Sequence, residues 1–243
     1  MTEIERTISK LKELRLPAMA DELKSLFGSE QYSKMDFLQL IEQLCDVEMT
    51  SRINHAIEKR IKAARLSDSS ARLDLIDYKP ERRINKALID QLRTNEYITS
   101  GRNVLILGAT GCGKSFISNA LAINACEKYR TRFIRLSELL SDLAIAKVEG
   151  NIRKQYKAYT RYDLLVIDDF LLTDTTSSEQ KDLMEIFEYR GRGRSTILCS
   201  QLSPEEWHKK LGGSHVADAI LDRITNNSYT IELFGESMRK HQQ

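Results

Sequence analysis

The chain has little that marks a secreted, membrane-bound or disordered protein. Its 243 residues include only four cysteines, Cys45, Cys112, Cys126 and Cys199, with no CxxC pair and no neighbouring histidine. Neither a disulfide framework nor a zinc site is expected, and the thiols read as reduced ones in a cytoplasmic protein. No apolar run approaches the roughly 20 residues of a membrane span, so no membrane partner is expected. The opening MTEIERTISKLKEL carries Glu3 and Glu5 without a continuous apolar stretch, unlike a secretory signal or a transit peptide. Charge of one sign is also missing. Lys and Arg number 37 against 35 Asp and Glu, so any case for nucleic acid has to rest on local clusters. There is no internal repeat and no low-complexity tract. What is present, 41% apolar and 30% charged residues, supports a real core in one large domain or in a medium domain with a smaller partner.

The first part reads as helix. Ile4, Ile8 and Leu11 recur at helical spacing, Pro17 interrupts, and the pattern resumes through Met19, Leu23 and Leu26. Ser33 and Asp36 have capping-box spacing ahead of Phe37, Leu40, Ile41, Leu44, Val47, Ile53, Ile57 and Ile61 on one face. A helix over 34–66 would be about 45–50 Å long. That is too long for its own short domain to bury, so it is expected to pack on a neighbouring domain or another subunit. The expected organisation is a helical domain over 1–66, a linker over 67–80 opened by the polar Ser67-Asp68-Ser69-Ser70, and a larger domain over 81–243. A second helical pattern covers Glu81–Leu92.

After residue 100 the pattern alternates. Strands are predicted at Asn103–Leu107, Arg132–Leu136, Leu164–Asp168, Thr196–Ser200 and Tyr229–Leu233, with helices between them. This order implies an α/β fold with a mainly parallel five-stranded sheet covered by helices on both faces. Such sheets bind ligands at the carboxyl ends of their strands.

One of those ends carries Gly108-Ala109-Thr110-Gly111-Cys112-Gly113-Lys114-Ser115, which fits GxxxxGK[ST] in every fixed place. The glycines let consecutive N–H groups turn inward around phosphate oxygens. Lys114 reaches the β- and γ-phosphates, Ser115 ligates Mg²⁺, and the helix starting here, with Phe116 in its first turn, aims its positive end at the anion. Four fixed positions match by accident in about one chain in a hundred of this length, and the strand before and helix after lower that chance. Four apolar residues, Leu164–Ile167, then lead into Asp168 and Asp169. Asp168 is the expected Mg²⁺ holder and Asp169 the group that orients or deprotonates the attacking water. The plainer reading is two acids capping a strand end.

The strand order resembles the AAA+ branch of the P-loop NTPases. The resemblance makes Ser200, with Gln201 as the near alternative, the polar contact to the γ-phosphate or water at the end of the fourth strand. The plainer reading is a serine satisfying its own backbone. It also makes Arg223, in Ile220-Leu221-Asp222-Arg223-Ile224, an arginine finger for a neighbouring subunit's γ-phosphate. The plainer reading is a helix-end arginine paired with Asp218 or Asp222. More specifically, LKELRLPAMADEL, NVLILGATGCGKS, YDLLVIDDF, RSTILCSQLSPEEWH and IELFGESMR resemble, in order and over nearly the whole chain, the IstB-like ATP-binding proteins that assist insertion-sequence transposases.

The resemblance implies an ATPase that binds DNA, assembles as a homo-oligomer and helps its transposase choose a target, with ATP and Mg²⁺ bound between subunits. It also implies a small all-helical N-terminal domain, and kinship with helicase loaders of the DnaC type and initiators of the DnaA type. Asp169 is one methylene shorter than the glutamate most AAA+ proteins carry, which implies slow turnover. Only ten residues follow Leu233, so a C-terminal lid domain is not expected; Arg239 is a candidate substitute for the arginine such lids carry, and a solvated tail is the favoured reading of that segment. A helicase loader and a non-catalytic nucleotide-binding scaffold are the rival functions.

For double-stranded DNA, two clusters offer sequence-independent phosphate contacts. Over 52–65, Arg52, Lys59, Arg60, Lys62 and Arg65 face one acid, Glu58. Over 147–161, Lys147, Arg153, Lys154, Lys157 and Arg161 face Glu149, interleaved with Tyr156, Tyr159 and Tyr162. Arg190, Arg192 and Arg194 form a third group. The plainer reading of each is a solvated helix face.

Overall fold

A computed structural model describes residues 2–29 and 35–238. Ser33, the proposed helix start at residue 34, and Arg239 lie outside the described residues. Two compact units emerge, Met1–Lys59 and Arg60–Gln243.

In the first unit, α1 (Glu3–Glu13) and α2 (Pro17–Gly28) precede α3 (Phe37–Ala64), inside which the division between units falls. Pro17 interrupts the apolar pattern because it occupies the first turn of α2, where no N–H is needed. Nearby, Glu48 of α3 accepts from the N–H groups of Ala18 (3.0 Å) and Met19 (3.2 Å), a carboxylate on the positive end of α2. The capping box at the start of α3 pairs Asp36 with Gln39, each side chain accepting from the other's N–H, three residues on from the spacing read in the sequence. Leu23, Leu26 and Leu44 form this unit's small core, while Phe37, Leu38, Met49 and Ile53 stay exposed along α3.

The second unit contains a parallel sheet of five strands: β1 (Asn103–Gly108), β2 (Thr131–Arg135), β3 (Leu164–Asp168), β4 (Ser195–Ser200) and β5 (Ser228–Leu233), in the order β2-β3-β4-β1-β5. The central strands are continuously apolar because helices cover both faces. These helices are α4 (Lys86–Arg93), α5 (Glu96–Thr99), α6 (Lys114–Ala125), α7 (Leu136–Val148), α8 (Ile152–Thr160), α9 (Ser177–Arg190), α10 (Pro204–Lys210) and α11 (His215–Thr225). The fold class and all five strands match the expectation to within a residue or so.

Differences arise where tertiary contacts decide. The pattern read as one helix from Glu81 is broken at Arg83, whose φ of +50° ends a short 3-10 turn; α4 starts only after Asn85, whose side chain accepts from Leu88 N–H. Residues 67–80, read as a linker, belong to the second unit, with Ala71, Leu73 and Ile76 buried in its core.

The basic clusters also change character. Arg190 is fully buried: its guanidinium donates to Thr196 Oγ1 and to the carbonyls of Tyr159, Tyr162 and Ser195. Burial pulls its pKa down to about 9. It fastens α9 to the last turn of α8, to the segment after it and to the start of β4, so it is not part of a surface patch. Arg194 pairs with Asp163. Arg190→Met would strand four oxygens without a donor, and the expected loss is about 3–5 kcal/mol, read as a fall in Tm of about 10 °C. An unchanged melting curve would contradict this account of the core.

Candidate nucleotide site

The phosphate loop joins β1 to α6. Gly113 sits at φ +97°, which side chains disfavour, and a Cβ there would lie 2.7 Å from Arg82 Nη2 and displace the guanidinium. Gly111, at φ +80°, is pressed against Ser237, whose Cβ would be 2.8 Å from its own. Both glycines therefore serve a left-handed backbone and a close approach together. Lys114 Nζ donates to the carbonyls of Gly108 and Ala109, each at 2.8 Å, which holds the ammonium over the loop. Cys112 is buried and offers the site only its backbone.

Asp168, at the carboxyl end of β3, accepts from Ser115 Oγ at 2.8 Å and is 5% exposed. A hydroxyl and a carboxylate side by side are hard oxygen ligands of the kind Mg²⁺ takes together with substrate phosphates. Among the described residues no cluster of three His, Cys, Asp or Glu forms a self-sufficient metal cage. The donor set thus fits a cation shared with a nucleotide.

The next turn aims Asp169 outward. Asp169 and Leu171 both sit at positive φ, +53° and +54°, a sparsely populated conformation for residues other than glycine. Burial of Phe170 and Leu171 holds the turn, with Phe170 edge-on to Trp207 at 5.0 Å and to Phe187 at 6.1 Å. Asp169 lines a cavity of about 350 Å³ together with Thr110, Lys114, Ser115, Phe116 and Gln201.

Ser200 and Gln201 separate cleanly. The Ser200 hydroxyl donates to Phe170 O (2.8 Å) and accepts from Trp207 Nε1 (2.9 Å) and Leu202 N (3.1 Å), and it is buried. All of its capacity is spent inside the protein. Gln201 instead lines the cavity, its Oε1 2.7 Å from the Thr110 hydroxyl of the phosphate loop. The position that faces the nucleotide cavity is therefore Gln201 rather than Ser200. The SQL-x(4)-W spacing acquires a physical meaning: Ser203 and Glu206 cap α10 reciprocally, and Trp207 at its far side pins Ser200.

Arg223 donates to Glu188 (Nε 2.7 Å), not to Asp218 or Asp222. Asn103, the first residue of β1, donates to the carbonyls of Arg223 and Ile224. Arg223 thus lies at the amino end of the sheet, about 16 Å of strand away from the phosphate loop at the other end of β1. It does not reach the cavity of its own chain.

Sequence reasoning missed Asp68, Leu75, Asp77 and Arg82, which line the same cavity. The polar stretch around Ser67 carried the signal of an exposed connection. What escapes that signal is Asn119 on α6, whose amide donates to Ser67 Oγ (2.8 Å) and draws the segment against the loop helix.

Of the residues proposed for DNA, Arg153, Lys154 and Lys157 are exposed along α8 and Arg161 just past its end, as are Lys59 and Lys62 on α3. Lys147 and Arg60 are engaged elsewhere. Lys147 pairs with buried Asp182 at 2.6 Å, and Arg60 donates to the carbonyls of Cys126 and Glu127. The tyrosines turn inward: Tyr156 donates to Asp182 and Tyr159 to Asp142, and burial pushes both phenols up. No helix of the described residues is long and apolar enough to cross a membrane.

Comparison with known proteins places the chain in a family. The sequence profile of the IstB-like ATP binding protein family matches residues 9–243. The insertion sequence ATP-binding protein y4pL of Sinorhizobium fredii is 32% identical, the match covering 97% of this chain and 96% of that one. The insertion sequence IS1162 ATP-binding protein of Pseudomonas fluorescens is 32% identical over 82% of this chain and 86% of its own. Among solved structures, the DnaC helicase loader shares the fold with a TM-score of 0.54 at 19% identity, over 67% of this chain and 96% of that one. AMPPCP-bound DnaA from Aquifex aeolicus does so with a TM-score of 0.57 at 20% identity, over 71% and 52%. The chain belongs to the family of IstB-like ATP binding proteins and has the AAA+ P-loop fold.

Proposed function

We propose that this protein is a DNA-binding ATPase that multimerises on duplex DNA and serves the transposase of an insertion sequence, hydrolysis resetting the assembly and so regulating target choice. The observation that carries the reading is the Ser115–Asp168 contact at 2.8 Å, which brings the phosphate loop and the acidic strand end into one cavity with Asp169 and Gln201.

In this mechanism the inward N–H groups of the loop and Lys114 hold the β- and γ-phosphates. Ser115 and Asp168 would hold Mg²⁺, which supplies charge neutralisation on the phosphate oxygens. Asp169 orients the water and accepts its proton as the water oxygen bonds to the γ-phosphorus and the bridge to the β-phosphate breaks. Gln201 hydrogen-bonds the γ-phosphate or the water, with Thr110 fixing its amide. Arg223 of an adjoining subunit stabilises the charge that develops, because its place at the amino end of the sheet rules out its own cavity. The exposed Phe37, Leu38, Met49 and Ile53 of α3 support an assembly surface.

For DNA, Arg153 and Lys157 on α8 and Arg161 at its C-cap recur at four-residue steps, and the first two line a cleft of about 590 Å³ with Glu185 and Tyr189 of α9. The test is binding to unrelated duplexes with ATP at two salt concentrations, read together with oligomeric state. Arg153→Ala with Lys157→Ala is expected to weaken every duplex similarly and to lower the salt slope by about 2. Failure to assemble on DNA in the presence of ATP would refute the reading.

A further inference from the structure

Arg82 has no place in the mechanism above, yet it is one of the most deeply set groups around the cavity. It is 8% exposed and makes no ion pair among the described residues. Its Nη2 donates to Cys112 O at 2.8 Å and its Nη1 to Asp77 O at 2.9 Å. Its own carbonyl accepts from Phe234 N–H at 3.3 Å. Two carbonyls from distant parts of the chain, one on the phosphate loop and one beside Leu75, are thus bridged by a single planar guanidinium.

The bridge acts on peptide orientation. In a trans peptide the C=O and the following N–H point in opposite directions. Arg82, itself on the cavity wall, grips the Cys112 carbonyl. The Gly113 N–H on the same peptide must then face away from the guanidinium, and Gly113 itself lines the cavity. With no Cβ and a φ of +97°, Gly113 has little intrinsic preference to hold that orientation by itself. Met238 N–H makes the same kind of contact one residue earlier, to Gly111 O at 3.0 Å. Two successive loop carbonyls, those of Gly111 and Cys112, are therefore each held by a donor from another segment of the chain.

We infer that Arg82 is a positioning residue of the nucleotide site: it presets the Gly113 N–H for the polyphosphate and couples the phosphate loop to the 68–82 segment. This deepens the nucleotide-binding reading and rests on it. The guanidinium works through the loop peptide, so its effect belongs to the phosphates and not to the base.

The test measures the Kd of ATP and of inorganic tripolyphosphate for the full chain, with Lys114→Ala as the reference for loss of the whole site. Arg82→Met keeps the buried stem and removes the donors; it is expected to weaken ATP and tripolyphosphate alike, about 10- to 30-fold. Arg82→Lys keeps the charge but gathers its donors on one nitrogen in place of the fork that spans the Cys112 and Asp77 carbonyls, and it is expected to recover most of that loss, remaining about 3- to 5-fold weaker than the parent. Circular dichroism and melting curves show whether each variant is folded. If Arg82→Met does not fold, Arg82→Lys carries the test, and tripolyphosphate binding equal to the parent overturns the inference. So does a folded Arg82→Met that loses ATP but keeps tripolyphosphate. If Lys114→Ala itself binds both ligands normally, it is the nucleotide reading that fails, not the role of Arg82 alone.

Discussion

Replacing Lys114 by alanine is expected to lower ATP affinity about 100-fold or more, or about 2.8 kcal/mol at 1.4 kcal/mol per tenfold, without disturbing the fold. The ammonium's hydrogen bonds run to the carbonyls of Gly108, the last residue of β1, and Ala109, so its removal breaks only the short link from the start of α6 back to the strand end it follows. The phosphates, in contrast, lose the one side-chain cation the loop itself contributes. Isothermal titration with ATP, alongside a melting curve, checks both halves. A variant that melts normally and binds ATP as tightly as the parent would remove the loop from the site.

The second large effect concerns Arg223. Arg223→Ala is expected to reduce hydrolysis about 10³-fold while leaving ATP affinity within about threefold, because the side chain would act only as charge builds in the transition state. Within one chain its contacts are Glu188 on α9 and the turn of its own helix, far from the phosphate loop. A finger in trans must exchange the Glu188 carboxylate for a neighbour's phosphate. An exchange of this kind makes turnover depend on protein concentration, whereas a purely structural ion pair does not.

Local pattern told much of this in advance. The phosphate loop was legible because its chemistry demands glycines and a lysine at fixed spacing, and the acidic strand end because four buried apolar residues must stop where two aspartates begin. The central strands were legible because burial on both faces leaves an unbroken apolar run. What escaped depends on contacts distant in sequence. Ser200 and Gln201 are adjacent and equally polar; only Trp207, seven residues on, decides that the serine turns inward. Arg190 and Lys147 look like surface charge until the carbonyls around β4 and buried Asp182 claim them. The 67–80 stretch has a linker's composition, but Asn119 and the core around Leu73 draw it into the cavity wall. Arg82 leaves no mark in any local window, since its meaning lies in a carbonyl 30 residues away.

The central claim is that each hydrolytic site is completed by a second copy of the chain. Mixing two inactive variants tests it most directly: Lys114→Ala, which keeps its arginine but loses ATP, and Arg223→Ala, which keeps ATP but loses its arginine. In an equimolar mixture on duplex DNA, about a quarter of the sites join an intact ATP pocket to an intact Arg223, by random pairing of neighbours in a closed oligomer. Phosphate release should therefore return to about a quarter of the parent rate. A mixture no more active than the sum of its two components would show that Arg223 does not serve a neighbour's site.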